Sequence, residues 1–422
     1  MTRVRRVFVL VLVVLLTSPC VASADPTLGM DDAGALVTKP LDPDAVLTAG
    51  TQHGVQILRM IDYMGRYPNG DRYYAAARLG VEHGLRLDIV LALRPLSQSG
   101  PVTPTEFAAW AAERAALYAG LDPHARISLL NEPDLLMAAS DDCDPTNQAA
   151  IVRSAGMSIS QTEVTSVAKV PGVTRVRATI RLHKFVHRRS RHRPYRILRV
   201  RRAYTHTYYT MVPVAKTVQT TKVVETTAPN SIDDSSGATT VTVARGCLAI
   251  MRARKTALYL KAAIPAVRAA APSVEVGAGE TSPCVGVEAF LRALAQAGIP
   301  PVDRWTHHPY AKVVDGNVVD SPSGSFYLDR TEDYAALVRK LFDVRTIDLT
   351  EFGVQKADGP LTGASVWRYA YRQACAIGAR SIVAYQWTPT PPGGGAWDTS
   401  LMNDGLTDTP ASAQLPNLRC SV

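Results

Sequence analysis

Short apolar runs alternate with amphipathic stretches over most of the chain. Residues 27–30, 55–61, 88–92, 127–130, 274–278, 303–307, 346–350 and 381–386 have the length and apolar content of buried strands. Between several of them, residues 105–118, 248–271, 287–297, 331–342 and 365–377 repeat apolar positions at helical spacing. Eight strands, each followed by a helix or loop, predict an α/β fold closed as a (β/α)8 TIM barrel. An open doubly wound sheet is the alternative. No Gly-x-Gly-x-x-Gly follows the first strand and no Gly-Lys-Ser/Thr loop occurs, so nucleotide binding has no motif to rest on.

The pattern changes between residues 144 and 246. Val176, Ala178, Ile180 and Leu182 alternate with Arg175, Arg177, Thr179 and Arg181, the period of a half-exposed strand. Further β-branched and aromatic runs fill 195–200, 203–214, 217–227 and 239–243, and no helical period is visible. Residues 144–246 read as a small all-β module, a sandwich being one arrangement, inserted after strand four. The barrel is then built from residues 25–143 and 247–422.

At the start of the chain, Arg3, Arg5 and Arg6 precede a ten-residue apolar run, 7–16, and then Ala22-Ser23-Ala24. This is the layout of an export signal spanning 1–24, with cleavage near Ala24. Ten apolar residues fall short of the ~30 Å of a bilayer core. No later run reaches 18, so a secreted protein with no transmembrane segment is expected. Cys143, Cys247, Cys284, Cys375 and Cys420 remain, none in a Cys-x-x-Cys pair, which leaves zinc and redox motifs without support. Cys143 and Cys247 bracket the insert, and a bridge between them would clip its two ends together. An odd count leaves at least one thiol free or paired between molecules.

Charge follows the same division. The chain of 422 residues carries +9 overall, and the insert alone carries +12, from seventeen Lys and Arg against five Asp and Glu. The barrel residues sum to −6. Arg188, Arg189, Arg191 and Arg193 suit a polyanion. Export makes an anionic envelope polymer or acidic polysaccharide the expected partner there, and nucleic acid is not expected. A solvated sheet face that discourages edge pairing is the alternative.

In a barrel, reactive side chains sit where strands end. Strand four stops at Asn131-Glu132-Pro133 and strand seven at Glu351-Phe352-Gly353. Strand six ends at Thr306-His307-His308-Pro309-Tyr310, strand eight at Gln386-Trp387, and Arg59 is placed after strand two. The His307–His308 pair raises a metal site, but no His-x-His ends the first strand and no carboxylate sits at ligand spacing. Neither metal nor cofactor is expected. Asp31 and Asp32 read as helix caps, with sugar contact as the alternative, and Glu280 at the end of strand five as a substrate contact. Trp397, beside Gly393–Gly395, is a subsite wall or a core shield.

An Asn-Glu after strand four and a Glu after strand seven resemble the clan A glycoside hydrolases, among them the family 5 cellulases and mannanases and families 10 and 39. The chain resembles the cellulase-like family 5 or the family 39 enzymes, and the pattern fixes the clan better than the family. The resemblance covers the barrel and not the insert. It implies that Glu132 is the acid/base, Glu351 the nucleophile and Asn131 the amide holding the 2-hydroxyl. It further implies that Tyr310 contacts the nucleophile, His308 lines the sugar site, Trp387 is the sugar platform and Arg59 orients Glu351. Retaining hydrolysis needs two carboxyls about 5–5.5 Å apart, one protonated and one ionised, the proton staying on the more apolar of the two. The expected function is therefore a secreted retaining hydrolase of β-glycosidic bonds in a polysaccharide or oligosaccharide. A transglycosylase with the same glutamates and a non-catalytic carbohydrate- or cell-wall-binding barrel are the alternatives.

Overall fold

The computed structural model describes residues 25–31, 36–37, 41–65, 71–93, 102–137, 143, 147–155, 157–189, 197–229, 241–314, 317–321, 325–389 and 398–420, with the backbone alone for 71, 157–189, 197–229, 241–243, 314, 357 and 360–362. The export signal 1–24, Asp32, Arg191, Arg193 and Trp397 lie outside the described residues. Eight parallel strands close a barrel: β1 (Thr27–Asp31), β2 (Ile57–Tyr63), β3 (Arg86–Ala92), β4 (Arg126–Leu129), β8 (Glu275–Thr281), β9 (Arg304–His307), β12 (Ile347–Phe352) and β13 (Ser381–Tyr385). Each pairs with its predecessor and successor among the eight, and β13 pairs with β1 to complete the circle. This is the predicted TIM barrel.

Helices connect the strands: α1 (Pro43–Gln52), α2 (Asp71–Glu82), α3 (Pro104–Leu121), α6 (Val243–Ala270), α7 (Val287–Ala297), α8 (Thr331–Phe342) and α9 (Pro360–Ala376). Local chemistry sets their ends. Thr103 caps α3 in a reciprocal capping box with Glu106, and Pro104 occupies the first turn, where its missing N–H costs nothing. α7 stops at Gly298, whose φ of 73° lets its N–H reach back to Leu294 and Ala295. Phe290, Leu291 and Leu294 of α7 are buried, each contributing about 1.5–3 kcal/mol.

The strands alternate, and the alternation positions the site. Leu58 and Met60 of β2 are buried, Leu58 so close to α2 that a side chain at Gly80 would collide with it. Arg59 lies on the other face, toward the barrel axis. A low layer of that axis is ionic where the barrel rule expects branched aliphatics. Fully buried Arg304 donates to Asp88 Oδ2 at 2.8 Å, to Asp348 Oδ2 at 3.3 Å and to Ser128 Oγ at 2.8 Å. Gly277 makes room, since a Cβ there would lie 3.0 Å from the Arg304 stem. Away from the axis, Asp62 of β2 accepts from Arg114 and Tyr118 of α3, each at 2.7 Å.

Past β4 the chain forms the short α4 (Pro133–Leu136) and α5 (Gln148–Ser154), then β5 (Met157–Arg189), β6 (Ile197–Pro229) and β7 (Val241–Thr242) in a three-stranded sheet of order β5-β6-β7. Residues 160–226 form a compact unit of their own. Two expectations are corrected here. A helix does lie within 144–246, because seven residues are too few to display a period, and α6 already begins at Val243. Pro171-Gly172 and Pro213 divide the sequence pattern into short runs, yet the strands continue through them. Two short strands, β10 (Val313–Val314) and β11 (Asn317–Val318), pair as a hairpin after β9. The expected Cys143–Cys247 disulfide is present, a second joins Cys375 to Cys420, and Cys284 is the free thiol among the described residues.

Candidate active site

Arg59 anchors the mouth of the barrel. It lies inside β2, which begins at Ile57 and runs to Tyr63, not after it. From there its guanidinium reaches four neighbours: Asp31, Glu351 Oε1 at 2.9 Å, Glu280 Oε2 at 2.8 Å and Asn131 Oδ1 at 3.4 Å. Burial opposes its charge, but Glu280, Glu351 and Asp31 hold it firmly protonated. Asp31, predicted to cap a helix, is instead an ion partner of this arginine.

Glu351 receives a second donor, the Tyr310 hydroxyl, at 2.7 Å from Oε2. Glu132 comes to the same place from the far side. Carboxylate oxygens of Glu132 and Glu351 and a ring nitrogen of His308 all lie within 4.8 Å of one another. His308 Nδ1 is 3.4 Å from Glu132 and 3.6 Å from Glu351, while Nε2 is 2.8 Å from Glu280. Burial would lower the His308 pKa, yet Glu351, Glu132 and Glu280 push it up to about 10. The fold thus supplies the carboxylates missing at ligand spacing in the sequence, and these groups could enclose a cation. With carboxylates at both ring nitrogens, however, His308 suits a two-sided donor better than a metal ligand.

The two glutamates differ in surroundings. Glu351 is the more enclosed, with 6% side-chain exposure against 23% for Glu132. The expected acid, Glu132, is predicted to occupy the more apolar position; the more enclosed of the two is Glu351. What separates them is hydrogen bonding: donors cover both oxygens of Glu351, whereas Glu132 faces His308 Nδ1 at 3.4 Å. Its backbone is left-handed, with φ of 41°, as are Leu130 at 67° and Glu280 at 44°. Such conformations are costly outside glycine and persist where surrounding bonds fix them. Here the Glu132 N–H donates to Glu280 O at 2.9 Å, and Ser282 donates through N–H and Oγ to Asp134. Burial, with the Glu132 charge adding, raises Asp134 to about 7 against the opposing Ser282 bonds.

Trp387 is not at the mouth. It has no exposed surface and its ring meets His53, 5.7 Å between centroids, so no face is open to a sugar. Ser381, Val383 and Tyr385 share the inward phase of β13, and the chain leaves the strand before Trp387. Tyr385 sits edge-on to Tyr310, with centroids 6.2 Å apart. Burial and then the nearby charges of Glu351 and Asp31 raise both Tyr385 and Tyr63 above the usual phenol range. Strand phase was the signal that could have found them. Glu280, expected to touch substrate, is fully buried beneath Arg59 and His308. His307 faces outward, stacked on Tyr334 at 3.7 Å, and burial lowers it to about 3.

The sequence matches no protein-family model and no curated protein. Solved structures do share its fold. A family 39 glycoside hydrolase from Bacteroides cellulosilyticus WH2 aligns with a TM-score of 0.50 and 11% identity, over 94% of this chain and 64% of that one. An exo-β-1,4-mannosidase from Opitutaceae bacterium strain TAV5 gives 0.51 and 13%, over 94% and 61%. A broad-specificity endoglucanase of family GH5-4 from Clostridium longisporum gives 0.50 and 11%, over 93% and 97%. The chain spans a little under two thirds of the first two. The likeness is one of fold: this chain and these glycoside hydrolases share the barrel architecture.

Proposed function

We propose that the protein is a retaining β-glycosidase. The observation that carries this reading is the convergence of Glu132 and Glu351, within 4.8 Å, from strands far apart in sequence. That separation suits double displacement better than the about 6.5–9.5 Å of inverting pairs. Glu351, braced by Arg59 and Tyr310, attacks the anomeric carbon as Glu132 gives its proton to the leaving glycosidic oxygen. The resulting glycosyl ester removes the negative charge of Glu351. Glu132, now a carboxylate, takes a proton from water, and that water releases the sugar with its configuration kept. Asn131, which accepts from Arg59, holds the 2-hydroxyl in this reading, and Tyr385 with Tyr63 supplies the aromatic wall expected of Trp387.

The substrate is a polysaccharide or oligosaccharide. The basic residues of 144–246 favour an anionic one, an envelope polymer or acidic polysaccharide held by that insert. Export rests on the pattern of residues 1–24 and agrees with two disulfides. Among the described residues no helix is long and apolar enough to cross a membrane. A panel of aryl β-glycosides assayed with wild type and Glu351→Gln tests the reading, with NMR of the first-formed anomer. Turnover with retention that Glu351→Gln abolishes is expected. A wild type that binds sugars without cleaving any would make the barrel a binding protein.

A further inference from the structure

Under the two glutamates lies a third that the proposed reaction does not use. The Glu280 side chain has no exposed surface. Its Oε2 accepts from Arg59 Nη2 at 2.8 Å, His308 Nε2 at 2.8 Å and Thr350 Oγ1 at 3.1 Å. Its backbone joins the same assembly: the N–H donates to Thr306 Oγ1 at 2.7 Å, and the carbonyl accepts the N–H of Glu132. Arg59 Nη2 and His308 Nε2 stand only 3.4 Å apart. Two cations that close repel, and the carboxylate they share is what makes the approach favourable.

We propose that Glu280 is a positioning residue whose buried charge holds Arg59 and His308 together as cations against Glu132 and Glu351. It thereby sets the pH range in which that pair works. The inference rests on the glycosidase reading for its kinetic consequence and on geometry alone for its electrostatic one. His308 is faced by Glu351 from β12, Glu132 and Asp134 from the segment after β4, Glu280 from β8 and Arg59 from β2. Its chain neighbour His307 faces away, its pKa lowered by burial. Glu280 is fully buried, out of reach of substrate, so its charge is present at every stage of turnover.

Glu280→Gln keeps the shape and an acceptor but removes the charge. The site becomes one unit more positive, so protons leave His308 and the catalytic pair at lower pH. The kcat/KM profile should move to lower pH by about one unit, beyond any uniform loss of rate. Histidine-labelled full-length chain, with His308 assigned by His308→Gln, is titrated by NMR. Wild-type His308 is expected to stay doubly protonated from about pH 5 to 8. The Glu280→Gln protein should deprotonate at lower pH than wild type, and Glu280→Asp, which keeps the charge, should restore the wild-type state. Deprotonation of wild-type His308 below pH 8 overturns the proposal, and needs no variant to fold. Equal His308 titration in wild type and Glu280→Gln overturns it too, as does a kcat/KM profile that falls without moving. The NMR result stands apart from turnover: if no glycoside is cleaved, the glycosidase reading falls while the assignment of Glu280 is still decided.

Discussion

Glu132 and Glu351 carry different hydrogen-bond partners, and substitution should separate their roles. Glu132→Gln is expected to lower kcat by about 10²- to 10⁴-fold on glycosides with poor leaving groups. The loss should be much smaller on dinitrophenyl glycosides, whose leaving group needs no proton; equal losses on both would contradict the acid role. Trp387 and Tyr385 make a second contrast. Trp387→Ala should destabilise the fold by about 3–5 kcal/mol in a denaturant titration and leave KM unchanged. Tyr385→Ala should raise KM about tenfold, near 1.4 kcal/mol of lost sugar contact, in the same assay. The glutamates were legible because each stands near the C-terminal end of an apolar run, where a barrel puts its reactive side chains. Asp31, Glu280 and Tyr385 were misread or missed because their importance comes from neighbours on other strands.

Among the elements, the barrel strands and most helices were legible from period and from flanking breakers, with edges shifting by a few residues. α3, for example, starts at its Thr103–Glu106 box and extends to Leu121. The short α5 was hidden by its length, and β5 and β6 by their internal prolines. The disulfide between Cys143 and Cys247 closes a sequence separation of 104 residues. In the chain-entropy treatment a loop of about 100 residues is worth at most about 4.7 kcal/mol. Cys143→Ser with Cys247→Ser should therefore lower the thermal midpoint markedly, measured by circular dichroism. An unchanged midpoint would mean that Arg252, which donates to Asp134 O at 2.6 Å and Met137 O at 3.1 Å, already holds this connection alone.

For the whole molecule, buried charge at two levels of the barrel sets stability. Arg304→Ala would leave Asp88 and Asp348 buried beside an empty volume, and a loss of about 3–5 kcal/mol is expected in denaturant unfolding. The pH dependence follows from three directions of shift. Burial opposes ionisation of Glu280 and Asp348, but nearby arginines hold both below the ordinary range, so their stability is present at neutral pH and lost on acidification. Asp134, raised to about 7, favours the folded state when protonated, and that contribution fades as pH climbs from about 4 through 7. His308, raised to about 10, contributes fully below about pH 6.5 and loses its contribution as pH rises toward its folded value. The thermal midpoint should therefore be highest in mildly acidic solution and decline on the alkaline side; a scan with its maximum above pH 8 would contradict these assignments. None of this ionic layering was visible in the sequence, where isolated charges in apolar strands do not announce their partners.

The central claim is that Glu351 becomes covalently bonded to sugar. Incubation with dinitrophenyl 2-deoxy-2-fluoro-β-glycosides, followed by proteolysis and mass spectrometry, measures this directly. A glycosyl adduct on the peptide containing Glu351, absent in Glu351→Gln, is the predicted result. An adduct on another residue, or turnover of the parent glycoside with inversion and no adduct, would contradict the account.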